Sequence, residues 1–256
     1  LPKFKSKNWK KSVHEIFRGA LIMYEAHRSH SALQSTGFFL LSWNVLKGKR
    51  EGWQEDLQRL GADADLLLLQ EALLHDEFYC HLGQRLDWHV TEGYRHFNRQ
   101  SGILTASVVG SHRKQSFVHK EPIFRTPKAA LITEYSLLDH PHTLLVANIH
   151  AINFTWGVFR FHQQLNEVFS TIAAHQGPVV LAGDFNVWRG KRMQLLRALV
   201  ADARLIEVDF LKDCRKSAFN YQLDHIFYRG LRKRESAVHA VSTSDHNPIT
   251  AIFSID

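Results

Sequence analysis

Cysteine is almost absent from this chain: Cys80 and Cys214 are the only two. Two thiols cannot build a disulfide framework, and neither stands in a Cys-x-x-Cys pair of the metal-binding kind. Two reduced thiols are expected, and with them a reducing compartment, the cytoplasm. No stretch of 18 or more apolar residues occurs, which argues against a transmembrane helix. Internal repeats, low-complexity tracts and linkers long enough to split domains are missing as well. The first residue is Leu1 and not a methionine, so a targeting segment upstream would be invisible here.

What is present is ordinary globular material with a basic bias. Apolar residues make up 45% and charged residues 22% of the 256. Lysine and arginine number 32 against 25 acids, for a net charge of +7. Such a chain is drawn to polyanions: nucleic acid, phosphorylated lipid or an anionic membrane surface. Residues 1–36 differ from the rest. Lys3, Lys5, Lys7, Lys10, Lys11 and Arg18 crowd an arm in which Ile16, Ala20, Met23 and Tyr24 recur at roughly helical spacing. A basic arm with one helix over 12–27 is expected there, ahead of a domain spanning 37–256.

From residue 37 onward, short apolar runs alternate with longer amphipathic segments. Strands are expected at 38–44, 66–71, 103–109, 130–136, 143–150, 179–185, 223–228, 237–242 and 249–255. Helices are expected at 51–60, 158–175 and 191–201. The four leucines 66–69 are too short for a helix and suit a strand buried on both faces. Many strands and few helices predict stacked sheets with helices outside, in an α/β or α+β layered arrangement.

Polar residues gather at the ends of these apolar runs, where rigid geometry meets open loops. Asn44 ends the first strand. Gln70 and Glu71 end the second, and a carboxylate after four leucines is costly to bury unless it is paired, protonated or bound to a cation. Asn148 and His150 share one strand face by alternation, as do Asp184 and Asn186 in Gly183-Asp184-Phe185-Asn186. Asp224 opens an apolar strand, and Ser244-Asp245-His246-Asn247-Pro248 precedes the last one. Consecutive Ser, Asp and His cannot form a hydrolase triad among themselves, since neighbouring side chains diverge. His246 paired with the distant acid Asp224 is the better reading, and it leaves Asp245 free for a metal.

These segments, in this order, resemble the endonuclease/exonuclease/phosphatase superfamily over residues 41–253, with a closer likeness to its YafD-type bacterial branch. The resemblance implies a DNase I-like four-layer sandwich, two stacked β-sheets flanked by helices. It also implies a metal-dependent phosphoesterase whose ion is Mg²⁺, or Mn²⁺ in its place. Residue by residue, it implies Glu71 as the main metal ligand, with Asn44 beside it and Asp245 near. His150 and Asn186 would hold phosphoryl oxygens. Asp184 would orient or deprotonate the attacking water, and His246, oriented by Asp224, would serve as general base or acid. One departure stands out: some nucleases of the family carry an acid where this chain has Leu46, which weakens an abasic-site endonuclease reading.

For the substrate, nucleic acid is the first expectation and a phosphoinositide or phospholipid the second. A silent binding module is a third reading, and a monomer is expected. The loop aromatics Phe154, Trp156 and Phe159 are expected to pack under the next helix. Trp188, Arg189, Lys191 and Arg192, with Arg229, Arg232, Lys233 and Arg234, are weighed as a basic rim.

Overall fold

The strands that carry the polar ends are apolar at almost every position because each is covered on both faces. A computed structural model describes residues 31–73, 87–96, 99–122 and 124–255. The basic arm, the expected helix at 12–27 and Cys80 lie outside the described residues. In chain order the elements are β1 (Phe38–Asn44), a 3-10 turn (Leu46–Gly48), α1 (Trp53–Gly61), β2 (Leu66–Leu73), β3 (Asp87–His96), β4 (Arg99–Ser107), β5 (Ser111–Lys120), β6 (Pro127–Tyr135), β7 (Leu144–His150) and α2 (Phe159–Ala174). There follow β8 (Val179–Asp184), α3 (Gly190–Asp202), β9 (Ile206–Glu207), β10 (Ser217–Ala218), β11 (Tyr221–Gln222), β12 (Asp224–Arg229), β13 (Arg232–Val238) and β14 (Ile249–Ser254).

Two mixed six-stranded sheets result, one ordered β13-β14-β1-β2-β4-β3 and the other β5-β6-β7-β8-β12-β9. Alternation splits each central strand between two cores. Phe38 and Leu40 of β1, Leu66 and Leu68 of β2, Leu144 and Val146 of β7 and Val180 and Ala182 of β8 meet between the sheets. Leu41, Trp43, Leu67 and Leu69 face the other way, onto Trp53 and Leu57 of α1. Leu145, Ala147, Val179 and Leu181 face Phe161, Leu165 and Val168 of α2 and Leu196 of α3. The layers are therefore helix, sheet, sheet, helices, as the resemblance implies.

All four edge strands of the six-stranded sheets are missed or misplaced by the sequence pattern, as is the short β10–β11 hairpin. β3, β5 and β9 have no counterpart among the expected strands, and β13 lies several residues before the expected 237–242. Edge strands pair on one side only and carry charge that discourages further pairing, so they lack apolar runs. In β5, Ser111–Lys120, alternation survives only as a half-buried and exposed pattern. The basic run Arg232 to Arg234 lies in β13 and not in a loop.

Parallel pairing of β1 with β2 and of β7 with β8 brings their carboxyl ends to one end of the sandwich. Asn44 lies opposite Gln70, and His150 lies opposite Asp184. β12 runs antiparallel to β8 and puts Asp224 beside Asp184. The same registers correct the basic rim. Arg229 pairs with Val179 and Arg232 with Ser254, both at the end remote from Asp184. Arg229 there donates to the carbonyls of Ala203, Ile172 and His175.

Gly183 makes the close approach of β7 and β8 possible. Its φ is +140°, and a Cβ there would sit 2.0 Å from the carbonyl oxygen of Ile149. Backbone cannot yield as a flexible side chain can. Gly183→Ala is expected to destabilise the domain by about 3 kcal/mol or more. Urea unfolding of the purified variant checks this, and an unchanged midpoint would contradict it.

Candidate active site

Asp184 stands at the centre of the converging strand ends and is almost wholly buried. Its Oδ2 accepts a hydrogen bond from Asn44 Nδ2 at 3.1 Å, and its Oδ1 accepts one from the backbone N–H of Asn186 at 3.0 Å. His150 Nε2 lies 3.5 Å from Oδ2, and His246 Nε2 lies 3.9 Å from it. Burial, with the neighbouring Asp224 charge, lifts the Asp184 carboxyl to about 6, against the pull of His246 and Lys128.

The two imidazoles are driven in opposite directions. Lys128 Nζ approaches His150 Nε2 at 2.5 Å. An ammonium can only donate, so this nitrogen of His150 accepts, and the ring is neutral with its proton on Nδ1. Burial, then the charges of Lys128, His246 and Lys47, hold His150 well below the ordinary histidine range. His246 is buried too, which by itself disfavours its charge. The carboxylates of Asp224 and Asp184 and the 2.7 Å contact from Nδ1 to Asp224 Oδ2 outweigh that and raise it to about 10. The site thus holds one neutral and one protonated histidine on either side of a carboxyl that titrates near neutrality.

Glu71 reaches this centre by leaving the strand alternation. A bulge in the pairing of β2 with β4 falls between Leu69 and Ala72, and Glu71 itself has φ +51°, a left-handed conformation that a non-glycine residue adopts only where its surroundings impose it. Its Oε1 lies 3.9 Å from His150 Nε2 and 4.0 Å from Lys128 Nζ, and its Oε2 lies 3.6 Å from Lys47 Nζ. Lys47 comes from the 3-10 turn, directly after Leu46, so a cation approaches where some family nucleases place an acid.

The remaining expected residues are placed less centrally. Asn186, at φ +50°, spends its Nδ2 on the carbonyl of Ala151 at 3.0 Å and reaches Asp184 through its backbone N–H. Asp245 is partly exposed, and its Oδ2 lies 3.8 Å from Lys216 Nζ. Its Oδ1 is buried with no hydrogen-bond partner. The structure therefore brings Asn44, His150, Asp184, Asp224 and His246 into one chain of contacts, with Glu71 beside it. Asp245 joins that chain only through its neighbour His246.

Three residues escaped the sequence reading in whole or in part. Lys128, the one polar side chain at the start of the apolar β6, was signalled by its position alone. Glu121 is buried and accepts from the N–H groups of Asn153 and Phe154. Arg192, expected on a basic rim, is fully buried and donates to the carbonyls of Ile152, Asn153 and Asn186 and to Thr155 Oγ1. It binds the loop after His150 to the loop after Asp184.

Whether these residues suit a metal is a question of donors. Among the described residues, no three His, Cys, Asp or Glu side chains form a ligand cluster. The donor chemistry nevertheless fits a hard cation: the Glu71 oxygens have their three nitrogen neighbours at 3.6–4.0 Å, and Asp245 Oδ1 lacks a partner. Asn44 Oδ1 accepts from Leu46 N at 3.1 Å and keeps a second lone pair.

A sandwich of this kind with such a site defines a phosphoesterase-type fold, and comparison with known proteins agrees. A family model described as the Endonuclease/Exonuclease/phosphatase family matches residues 41–246. The chain belongs to this family, whose members are typically metal-dependent hydrolases. It is 36% identical over 242 residues to a UPF0294 protein of Vibrio vulnificus, covering 93% of this chain and 84% of that protein. An endonuclease/exonuclease/phosphatase structure from Beutenbergia cavernae superposes with a TM-score of 0.65 at 14% identity, over 86% of this chain and 72% of that one. A Bacteroides thetaiotaomicron mannosyl-6-phosphatase superposes with a TM-score of 0.62 at 16% identity, over 85% of this chain and 100% of that one.

The raised value of His246 carries a linkage consequence. Its ion pair with Asp224 contributes stability that is fully present below the unfolded value of 6.5 and is lost as pH rises through about 10. In Asp224→Asn, the His246 ring is expected to titrate well below its wild-type value, and the stability loss between those limits should shrink. NMR titration of the ring, assigned with His246→Asn, together with urea melts on both sides of the window, checks both statements. An unshifted ring would contradict the pairing.

Proposed function

We propose that this protein is a divalent-metal-dependent hydrolase of phosphodiester bonds, a member of the YafD-type branch of its family. The observation that carries the proposal is the buried Asp184 between a neutral His150 and a protonated His246, with Lys128 against the neutral ring. A carboxyl that titrates near 6 is mostly ionised at neutral pH and still able to take a proton from an attacking water. His246, charged at neutral pH, can stabilise a phosphoryl oxygen or protonate the leaving oxygen, and Asp224 holds its ring in place. Lys128 supplies a donor on the adjoining side, beside the His150 ring, whose Nε2 faces Asp184 and Glu71. Asn44 orients the Asp184 carboxylate. Mg²⁺, or Mn²⁺ in its place, would be held by Glu71 with Asn44 beside it and Asp245 near. When bound, it supplies Lewis-acid stabilisation of charge on the phosphoryl group.

Two substrate classes follow from different observations. The net charge of +7 supports a nuclease, since polyanion binding is dominated by phosphate contacts. The loop aromatics support a phospholipid: Trp156 is 85% and Phe159 72% exposed, against the expectation that they pack under α2. The mannosyl-6-phosphatase activity named for the Bacteroides thetaiotaomicron protein belongs to that protein, and at 16% identity the likeness is evidence for a shared fold.

Turnover is expected with Mg²⁺ or Mn²⁺ on at least one member of a panel of plasmid DNA, single-stranded DNA, RNA, bis-p-nitrophenyl phosphate, a phosphoinositide and sphingomyelin. EDTA should abolish it. Glu71→Ala and His246→Ala should each lower kcat by roughly 10²- to 10⁴-fold while retaining the fold. A folded protein without metal-dependent turnover on any of these substrates would sink this reading.

A further inference from the structure

Exposed aromatic rings are concentrated at one end of the molecule. Among the described residues, five of the six exposed phenylalanine and tryptophan side chains, Phe124, Phe154, Trp156, Phe159 and Phe219, leave loops, turns or the first residue of α2 at the end where Asp184 lies, and Trp88 at the start of β3 is the sixth. Phe124 sits in the turn between β5 and β6, next to the strand start that brings Lys128 to His150. Phe154, Trp156 and Phe159 follow His150 directly. Phe219 is in the turn of the β10–β11 hairpin, shortly before Asp224. Burial would be the ordinary fate of so many large rings, and their shared exposure at the site calls for a partner.

These rings are displayed from a pinned backbone. Glu121 accepts from the N–H groups of Asn153 and Phe154 at 2.8 and 3.4 Å. Arg192 donates to the Asn153 carbonyl at 2.6 Å and to Thr155 Oγ1 at 2.9 Å, and Trp188 Nε1 donates to Asn153 Oδ1 at 2.7 Å. The loop is thus held from inside while its aromatic tips face out. The charge around them has one sign. Arg125 and Arg160 are exposed beside Phe124 and Phe159, and the one acid of these two loops, Glu121, is buried.

We propose that Phe124, Phe154, Trp156 and Phe159 form a membrane-docking surface that seats the site against an anionic phospholipid bilayer. Phenylalanine and tryptophan rings flanked by arginine are the side chains that enter the interfacial layer, where the ring is buried and the cation meets lipid phosphate. Ring geometry favours this over a track for single-stranded nucleic acid. Phe124 and Phe154 meet edge to face with centroids 5.1 Å apart, which offers no parallel slot for a base, and Trp156 stands open to solvent. A bilayer accepts rings in any orientation. The surface would bring a lipid-borne phosphodiester to Asp184 and His246. That consequence rests on the phosphoesterase reading, whereas the docking itself does not.

The test is binding of the full chain to vesicles of phosphatidylglycerol and phosphatidylcholine in equal parts, read by co-sedimentation and by quenching of tryptophan emission with brominated acyl chains. Wild type should bind and be quenched. Trp156→Phe should still bind but lose a large share of the quenching. Trp156→Ser/Phe159→Ser should bind about tenfold or more weakly, and Phe124→Ser, in a separate turn, should weaken binding as well. Thermal melting confirms that each variant is folded. Absence of vesicle binding, or binding undiminished in the folded Ser variants, would overturn the proposal. So would quenching of Trp156 by a single-stranded oligonucleotide without vesicle binding, which would make the rim a base-stacking surface. Because binding is read without turnover, failure of the phosphoesterase reading would appear in the substrate panel and leave the vesicle result standing.

Discussion

Between the two sheets, Gln70 Nε2 donates to Asn148 Oδ1 at 2.7 Å, beside a core of aliphatic and aromatic side chains. Asn148 in turn donates through Nδ2 to the Leu104 carbonyl at 2.9 Å, with longer contacts to the Leu69 carbonyl and Thr105 Oγ1. Apolar packing alone leaves two sheets free to slide, because one branched side chain serves about as well as another. A buried amide pair does not, since any shift leaves strong donors and acceptors unsatisfied in a low-dielectric interior. This pair joins β2 to β7 directly beneath the site. Glu71 is one residue beyond Gln70, and His150 is two beyond Asn148. The distance between the Glu71 carboxylate and the His150 ring therefore follows from a contact made below them.

Above that contact, opposite charges are interleaved, all but one pair at 3.6–4.0 Å. Lys47 and Lys128 stand near Glu71, and His246 stands near Asp184 and Asp224. The Asp224–His246 contact, at 2.7 Å, is short and buried, and it helps to keep the His246 ring protonated. Asp184 receives hydrogen bonds from Asn44 and from a backbone N–H, but its nearest imidazole, His150, is already an acceptor toward Lys128. The carboxyl is left poised near neutrality by burial and by the Asp224 charge. A group in that condition is a poor contributor to stability and a suitable proton acceptor.

Arg192 links this centre to the outer loops. A guanidinium buried without a carboxylate in hydrogen-bond contact is costly, and burial lowers it to about 10. It is sustained by carbonyl and hydroxyl acceptors from the segments that follow His150 and Asp184. Those segments carry Asn186 on one side and the exposed aromatic loop on the other, so one side chain ties the rim to Asn186.

Much of this molecule was legible in its linear order. Strands buried on both faces must be apolar throughout, so β1, β2, β7, β8, β12 and β14 stood out with boundaries within two residues of those observed, and polar residues at their ends marked the site. Edge strands carry no such pattern, and β3, β5, β9 and β13 were missed or displaced for that reason. The aromatic loop and Arg192 were misjudged together: composition cannot say which of two amphipathic candidates turns inward, and here the arginine is buried while Trp156 is exposed. By itself the sequence determined which residues are available for chemistry and that they cluster at strand ends. Only the tertiary structure decided their protonation and reach. The values of Asp184, His150 and His246 depend on burial and on charges that arrive from strands far apart in the chain, and no local pattern encodes a distance between them.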